Sequence, residues 1–212
     1  SDQSELKNAM ESIRLPNNSA LLKHNIVFNN NINNLISQRV RNITLFPKRN
    51  RQAFWGDFFA SNIIQSGDIN KGYDGFTSAG TGFLVGYDYV NGGNLLGFSG
   101  FYSESEVANE NEGDFKSTII SNGISIYNKF GSRLTRGFYN LNSFNYVVND
   151  YQNKRKVKLP NIEENINSNI SGSSMNLRSE IGYHFPLIKS SIFSPKISLE
   201  YFSDNSDAYE ET

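Results

Sequence analysis

After Pro47 the chain carries a period-two alternation sustained over unusually long segments, and this pattern limits the folds open to it more than any other feature. Met175, Leu177, Ile181, Tyr183 and Phe185 share one parity, while Asn176, Arg178, Glu180, Gly182 and His184 share the other. The next segment sets Phe193, Pro195, Ile197, Leu199 and Tyr201 against Ser194, Lys196, Ser198 and Glu200. An earlier one sets Ala79, Phe83, Val85, Tyr87 and Tyr89 against Gly80, Gly82, Gly86 and Asp88. Successive side chains of a strand point to opposite faces, so each segment predicts a strand with one greasy and one wet face.

Turn signals such as Gly67-Asp68, Asn91-Gly92-Gly93 and Gly131-Ser132 separate these segments. They divide the chain into about seven strands, near 52–65, 75–90, 94–107, 114–130, 133–151, 167–187 and 192–205. Long strands joined by tight turns or polar loops imply an antiparallel meander. Alternation alone also suits a half-exposed soluble sheet. Two features favour a barrel over a sandwich: the strands exceed the usual length of about five or six residues, and the second face is rich in Gly, Ser, Asn and charges of both signs. A barrel encloses such a face around water, and the tyrosines near strand ends suit the aromatic girdles of a barrel in lipid.

Composition agrees. Only 37% of residues are hydrophobic, yet 13% are aromatic, with 16 Phe and 11 Tyr. Disordered chains are polar but poor in aromatics. A net charge of -1 and a pI near 6.1 provide no field to draw nucleic acid. The basic runs Lys48 to Arg51 and Lys154 to Lys158 fall between predicted elements, as solvated turns do. Cysteine is absent, which removes disulfides, thiolate catalysis and most zinc sites; no cofactor or metal is expected. No apolar run approaches the roughly 18 residues of a membrane-spanning helix, although barrel strands need only about ten alternating ones. The opening Ser-Asp-Gln-Ser-Glu-Leu is not a signal peptide, so such a signal lies upstream in a longer precursor or is missing.

The first fifty residues read as helical. Ser4 to Leu15 forms a short amphipathic candidate with Leu6, Met10 and Ile13 on one face, closed by Pro16. A second opens with Ser19 as N-cap and carries Phe28, Ile32, Leu35 or Ile36, Val40 and Ile43 at helical spacing. Its interior holds Asn25, Asn29, Asn30, Asn31, Asn33 and Asn34, all weak helix formers. Such a helix needs a polar enclosure, which a hydrophilic pore supplies.

The run Phe54-Trp55-Gly56 resembles the opening of the autotransporter (type V secretion) translocator β-barrel. Gly82-Phe83-Leu84-Val85-Gly86-Tyr87-Asp88, Leu96-Gly97-Phe98-Ser99-Gly100-Phe101-Tyr102-Ser103 and Gly123-Ile124-Ser125-Ile126-Tyr127 continue the likeness. Arg155 in a basic loop, Glu180-Ile181-Gly182-Tyr183 and Pro195-Lys196-Ile197-Ser198-Leu199-Glu200-Tyr201 complete it. The resemblance implies an all-β antiparallel transmembrane barrel with an N-terminal pore helix. It implies a pore and anchor in the bacterial outer membrane that delivers an N-terminal passenger to the cell surface. Its partners would be outer-membrane lipid, its own passenger and the barrel-assembly machinery. On this reading residues 1–18 join the passenger, 19–50 form the pore helix and linker, and 51–212 form a partial barrel. The family barrel has twelve strands and a C-terminal aromatic residue used in assembly, whereas this chain ends at Tyr209-Glu210-Glu211-Thr212. It is therefore expected to be an excised piece of a longer protein or a truncated gene product, since open edges in lipid leave backbone groups unsatisfied.

Some family members free the passenger by cutting between two asparagines of the pore helix: the side-chain amide of the first attacks its own carbonyl and forms a succinimide. Asn33-Asn34-Leu35, followed by Arg39, resembles that site, and Asn30-Asn31 is a second candidate. Asp57, Asp88, Arg178, Glu180, Lys196 and Glu200 are expected to line the pore, pairing with one another and with Arg39 or Arg41 of the helix. Trp55 either packs on the helix or anchors at the interface. Two alternatives stand beside this reading. One is a soluble or surface-exposed β-rich adhesin or binding domain. The other is an outer-membrane hydrolase built on His184 and Glu180, although no nucleophile elbow or metal-ligand spacing accompanies them.

Overall fold

The structure, a computed structural model, describes residues 18–45, 50–67, 75–109, 115–131, 136–159, 162–188 and 191–207. The Ser4 to Leu15 candidate lies outside them. Helix α1 (Asn18–Leu45) begins one residue before the expected N-cap, Ser19. Eight strands follow: β1 (Asn50–Gln65), β2 (Phe76–Asn91), β3 (Asn94–Asn109), β4 (Phe115–Gly131), β5 (Gly137–Leu159), β6 (Ile162–Ile188), β7 (Ser191–Phe193) and β8 (Lys196–Ser206).

They form one antiparallel meander in sequence order, with β7 and β8 both pairing β6. The expected seventh strand is thus a single excursion interrupted at Ser194 and Pro195, because proline has no N–H for the ladder. Its carbonyl still accepts from Tyr183 N at 3.1 Å. Among the described residues β1 pairs only β2 and β8 only β6, so the sheet wraps α1 without closing.

Two expectations need correction. The strands expected at 133–151 and 167–187 extend to Leu159 and back to Ile162, in register through Arg155↔Ile166. Lys154 to Lys158, including Arg155, therefore lie within β5 rather than in a loop. Gln152 to Lys156 are all polar, so the pairing continues where alternation has stopped signalling it.

The sheet is inside-out relative to a soluble domain. Phe54, Phe58, Val85, Phe98, Ile124, Ile126, Leu177, Ile181, Ile197 and Leu199 are exposed on its outer face. Ser99, Ser103, Ser121, Ser125, Asn145, Asn149, Ser174 and Asn176 are buried on its inner face. Rings also cross-pair on the outside: Phe54 with Tyr87 at 5.0 Å and Tyr87 with Phe98 at 5.7 Å.

One end carries the turn Asn91–Asn94, with Gly92 and Gly93 at φ of 69° and 132°, conformations that L side chains rarely adopt. The β4–β5 and β6–β7 connections lie at that same end. At the opposite end β1 finishes at Gln65, β2 begins at Phe76, and β5 and β6 extend their pairing to Leu159↔Ile162. Because Leu45 leads into β1 at Asn50, the helix C-terminus lies at the turn end.

Candidate functional site

The site is the helix and the wall around it. Two stripes of α1 are buried, each repeating every four residues as neighbouring turns of a helix require. His24, Phe28, Ile32, Ile36 and Val40 make one, and Asn25, Asn29, Asn33 and Ser37 the other.

The first stripe meets an apolar wall of Leu84, Val90, Leu95, Phe101 and Tyr127, with Trp55 and Phe59 packed against it. Phe28 contacts the rings of Phe59 at 6.0 Å and Phe101 at 5.9 Å. The wall makes room for the helix by seating its own rings on glycines. Trp55 lies opposite Gly86, Phe59 opposite Gly82, Phe101 opposite Gly123, Tyr127 opposite Gly97 and Tyr139 opposite Gly182, all as direct cross-strand partners. At Gly97 an added Cβ would stand 2.3 Å from the Tyr127 ring, so only glycine lets that ring lie flat. The Gly parity that suggested a water-lined face is therefore largely a set of ring seats.

The second stripe meets a hydrogen-bonding wall. The Asn25 amide donates to Tyr151 Oη at 2.7 Å and to Asp204 Oδ1 at 3.0 Å. Asn29 donates to Ser174 Oγ at 3.1 Å. Asn33 is held on both sides. Its Nδ2 donates to Asn176 Oδ1 at 2.7 Å and Glu200 Oε1 at 3.3 Å, and its Oδ1 accepts from Ser143 Oγ and Asn145 Nδ2, both at 2.9 Å. A poor helix former costs up to about 0.7 kcal/mol and a net hydrogen bond contributes about 1. The wall thus offsets the weak propensity of this face.

The charged residues fall into two groups. Near the turn end, Arg39 Nε lies 3.0 Å from Asp88 Oδ2, and Asp88 also accepts from Tyr127 Oη. Trp55 Nε1 donates to Tyr127 Oη at 3.1 Å and Arg39 lies 5.4 Å over its ring, so Trp55 packs toward the helix. In the second group, buried Glu180 accepts from Tyr139 Oη at 3.1 Å, Lys196 Nζ at 2.8 Å and Arg178 Nη2 at 3.4 Å. Glu200 also accepts from Asn176 at 2.6 Å.

Other candidates are placed differently. Asp57 shares the inward parity of Trp55 and Phe59, but it is exposed on the edge strand and accepts from the Phe58 N–H at 2.9 Å. Arg41 and Asn34 are exposed, and Asn30 and Asn31 are half-buried. His184 Nδ1 lies 2.8 Å from Ser194 Oγ and its ring stacks on Tyr139 at 4.5 Å, while Glu180 is engaged by Tyr139, Lys196 and Arg178. The Ser, His and acid grouping is therefore not assembled around Glu180. Among the described residues no group of three or more His, Asp or Glu could hold a metal ion. Reading from sequence missed Tyr127, Tyr139, Tyr151, Ser143, Asn145 and Asn176 as helix partners; the four-residue Asn repeat was the available signal.

The family model described as "Autotransporter beta-domain" matches residues 54–212. The solved translocator domain of autotransporter NalP from Neisseria meningitidis is similar, with a TM-score of 0.61 at 14% identity, over 84% of this chain and 60% of that one. The chain thus spans less than two thirds of that domain. The beta domain of the Bordetella autotransporter BrkA gives a TM-score of 0.29 at 11% identity, over 72% of this chain and 80% of that one. No curated protein matches.

Proposed function

The chain belongs to the autotransporter beta-domain family, and from that premise we propose that it serves as the pore and anchor of an outer-membrane translocator that delivers an N-terminal passenger to the cell surface. The observation that carries this reading is the inverted wall, apolar outside and Ser- and Asn-rich inside, wrapped around a hydrogen-bonded helix. A soluble adhesin would leave that outer belt in water, where exposed apolar patches of such extent promote association. Lipid is its natural solvent.

The direction of α1 supports the passenger's route. Barrels in this membrane keep short turns on the periplasmic side and longer loops outside. The helix C-terminus lies at the turn end and its N-terminus at the loop end, so chain preceding α1 would emerge outside. Assembly of the whole domain would use the cell's barrel-assembly machinery. In fractionated cells the protein should be recovered in outer membranes, need detergent for extraction, and display an epitope placed before Asn18 to antibody on intact cells. Recovery as a monomer in aqueous buffer would overturn the reading.

A second reading, single-turnover cleavage at Asn33–Asn34, is favoured by the 3.3 Å contact between Asn33 Nδ2 and Glu200 Oε1. Glu200 would take a proton from the amide as Nδ2 attacks the Asn33 carbonyl carbon. The Asn33–Asn34 C–N bond then breaks, a succinimide remains on Asn33, and the Asn34 nitrogen leaves protonated as an amine. Asn30-Asn31 is half-buried, with no such carboxylate contact among those described. N-terminal sequencing of the mature barrel should give Asn34 as the first residue; an end at any other position removes this proposal.

A further inference from the structure

Two Asn-Asn pairs begin on the wet stripe of α1, Asn29-Asn30 and Asn33-Asn34, and the wall holds them differently. The Asn29 amide donates to the Asn25 backbone carbonyl at 3.0 Å and to Ser174 Oγ at 3.1 Å. Among the described contacts its buried Oδ1 accepts from no donor, and neither does Asn25 Oδ1. Of these three asparagines, Asn33 is the one whose side-chain oxygen is engaged. It is engaged twice, by Ser143 Oγ and Asn145 Nδ2, both at 2.9 Å.

Those two donors are fixed in place. Ser143 and Asn145 are two residues apart on β5, so they share its inward face, where both are buried. Ser125 Oγ donates to Asn145 Oδ1 at 2.7 Å, which turns the Asn145 N–H groups toward Asn33.

Cleavage at Asn33–Asn34 gives such donors a task. An amide nitrogen is a poor nucleophile because its lone pair is shared with its own carbonyl. When Glu200 Oε1 takes a proton from Nδ2, negative charge leaves the carboxylate and settles mainly on Asn33 Oδ1. Asn176 Nδ2, which donates to Glu200 Oε1 at 2.6 Å, favours the charge staying where it was. Two donors at the receiving oxygen favour the transfer, since a hydrogen bond to a charged acceptor is stronger than one to a neutral acceptor. Donors already aimed at a developing charge need no reorganisation as the reaction proceeds.

We propose that Ser143 and Asn145 are catalytic residues of this cleavage, holding the charge that develops on Asn33 Oδ1 as Nδ2 attacks the Asn33 carbonyl carbon. Ser125 acts through Asn145 as a positioning residue. The C–N bond to Asn34 then breaks, the Asn34 nitrogen takes up the proton held by Glu200, and Oδ1 returns to a neutral succinimide carbonyl. Asn29 has neither the carboxylate nor the donors, so the Asn29–Asn30 bond stays intact.

The inference rests on the cleavage reading, and its test separates the two. Cells expressing the full-length precursor are pulse-labelled, and the barrel that begins at Asn34 is followed among membrane-inserted protein. Ser143→Ala and, independently, Asn145→Leu should each slow its appearance by at least about tenfold. Ser143→Thr, which keeps the hydroxyl, should stay within about threefold of the natural chain. So should Ser103→Ala, which removes a buried inward hydroxyl that takes part in no described hydrogen bond. Cutting at Asn33 that neither Ser143→Ala nor Asn145→Leu slows overturns the role of the donors and leaves the cleavage reading intact. Ser143→Thr as slow as Ser143→Ala also overturns it, because packing rather than the hydroxyl would then set the rate. A natural chain that inserts but stays uncut at Asn33 overturns the cleavage reading together with this inference, and leaves the translocator reading standing.

Discussion

Strands β1 to β4, joined by Leu141 and Val147 of β5, pack apolar side chains with one stripe of α1, while polar residues of β5, β6 and β8 hold the other stripe by hydrogen bonds. On the first side Phe28, Ile32 and Ile36 press into Leu84, Phe101 and Tyr127, in contacts that have no preferred direction. On the second side Asn25, Asn29 and Asn33 are held by named donors and acceptors at 2.7 to 3.3 Å. Dispersion and burial change little when a helix slides a fraction of a turn, whereas a hydrogen bond weakens steeply away from its geometry. The dry wall therefore supplies affinity and the wet wall fixes height and rotation. Arg39 with Asp88 at the turn end, and His24 Nδ1 with Ser78 Oγ at 2.9 Å toward the loop end, add polar fixed points on the drier side.

The division can be broken from either side. The largest effect is expected at Phe28→Ala, which leaves a void between Phe59 and Phe101 and should lower stability by about 3–5 kcal/mol, read from urea unfolding in micelles. Protein unfolding at an unchanged midpoint would mean that the dry wall does not hold the helix. Asn33→Leu comes next. It removes the partner of Asn176 Oδ1, Ser143 Oγ and Asn145 Nδ2 and should cost about 2–3 kcal/mol, with the helix more open to protease. A stabilised Asn33→Leu variant would show that the wet wall specifies nothing. Smallest is the pair Gly97→Val and Gly100→Val. The first forces Tyr127 off its seat for about 1–3 kcal/mol. The second meets only the Gly123 carbonyl at 3.8 Å and should stay within about 0.5 kcal/mol. Equal costs would dispose of the ring-seat account.

Alternation identified the β6 and β8 faces correctly because every second residue there contrasts apolar with polar, from Met175 to Phe185 and from Ile197 to Tyr201. It lost β5 beyond Tyr151, where polar residues run together and only the partner strand defines the element. Parity put Asp88 and Glu180 on the inward face, but their partners were not legible. Glu180 is four residues from His184, yet Tyr139, Lys196 and Arg178 engage it, two of them from other strands. Asp57 has the right parity and still lies exposed, since parity assigns a face but not what covers it.

The sequence by itself determined the inverted polarity of the strands and the four-residue repeats on α1, because both are local periodicities written in consecutive residues. Only the tertiary structure decided which wall faces which stripe, which ring rests on which glycine, and that Asn33 rather than Asn34 is held by Glu200. Those outcomes depend on strand register and on the rotation of the helix inside the sheet. Register is set by pairing between neighbouring strands, and the rotation by helix contacts such as Asn33 with Ser143 and Asn176, more than a hundred positions away, which no local pattern encodes.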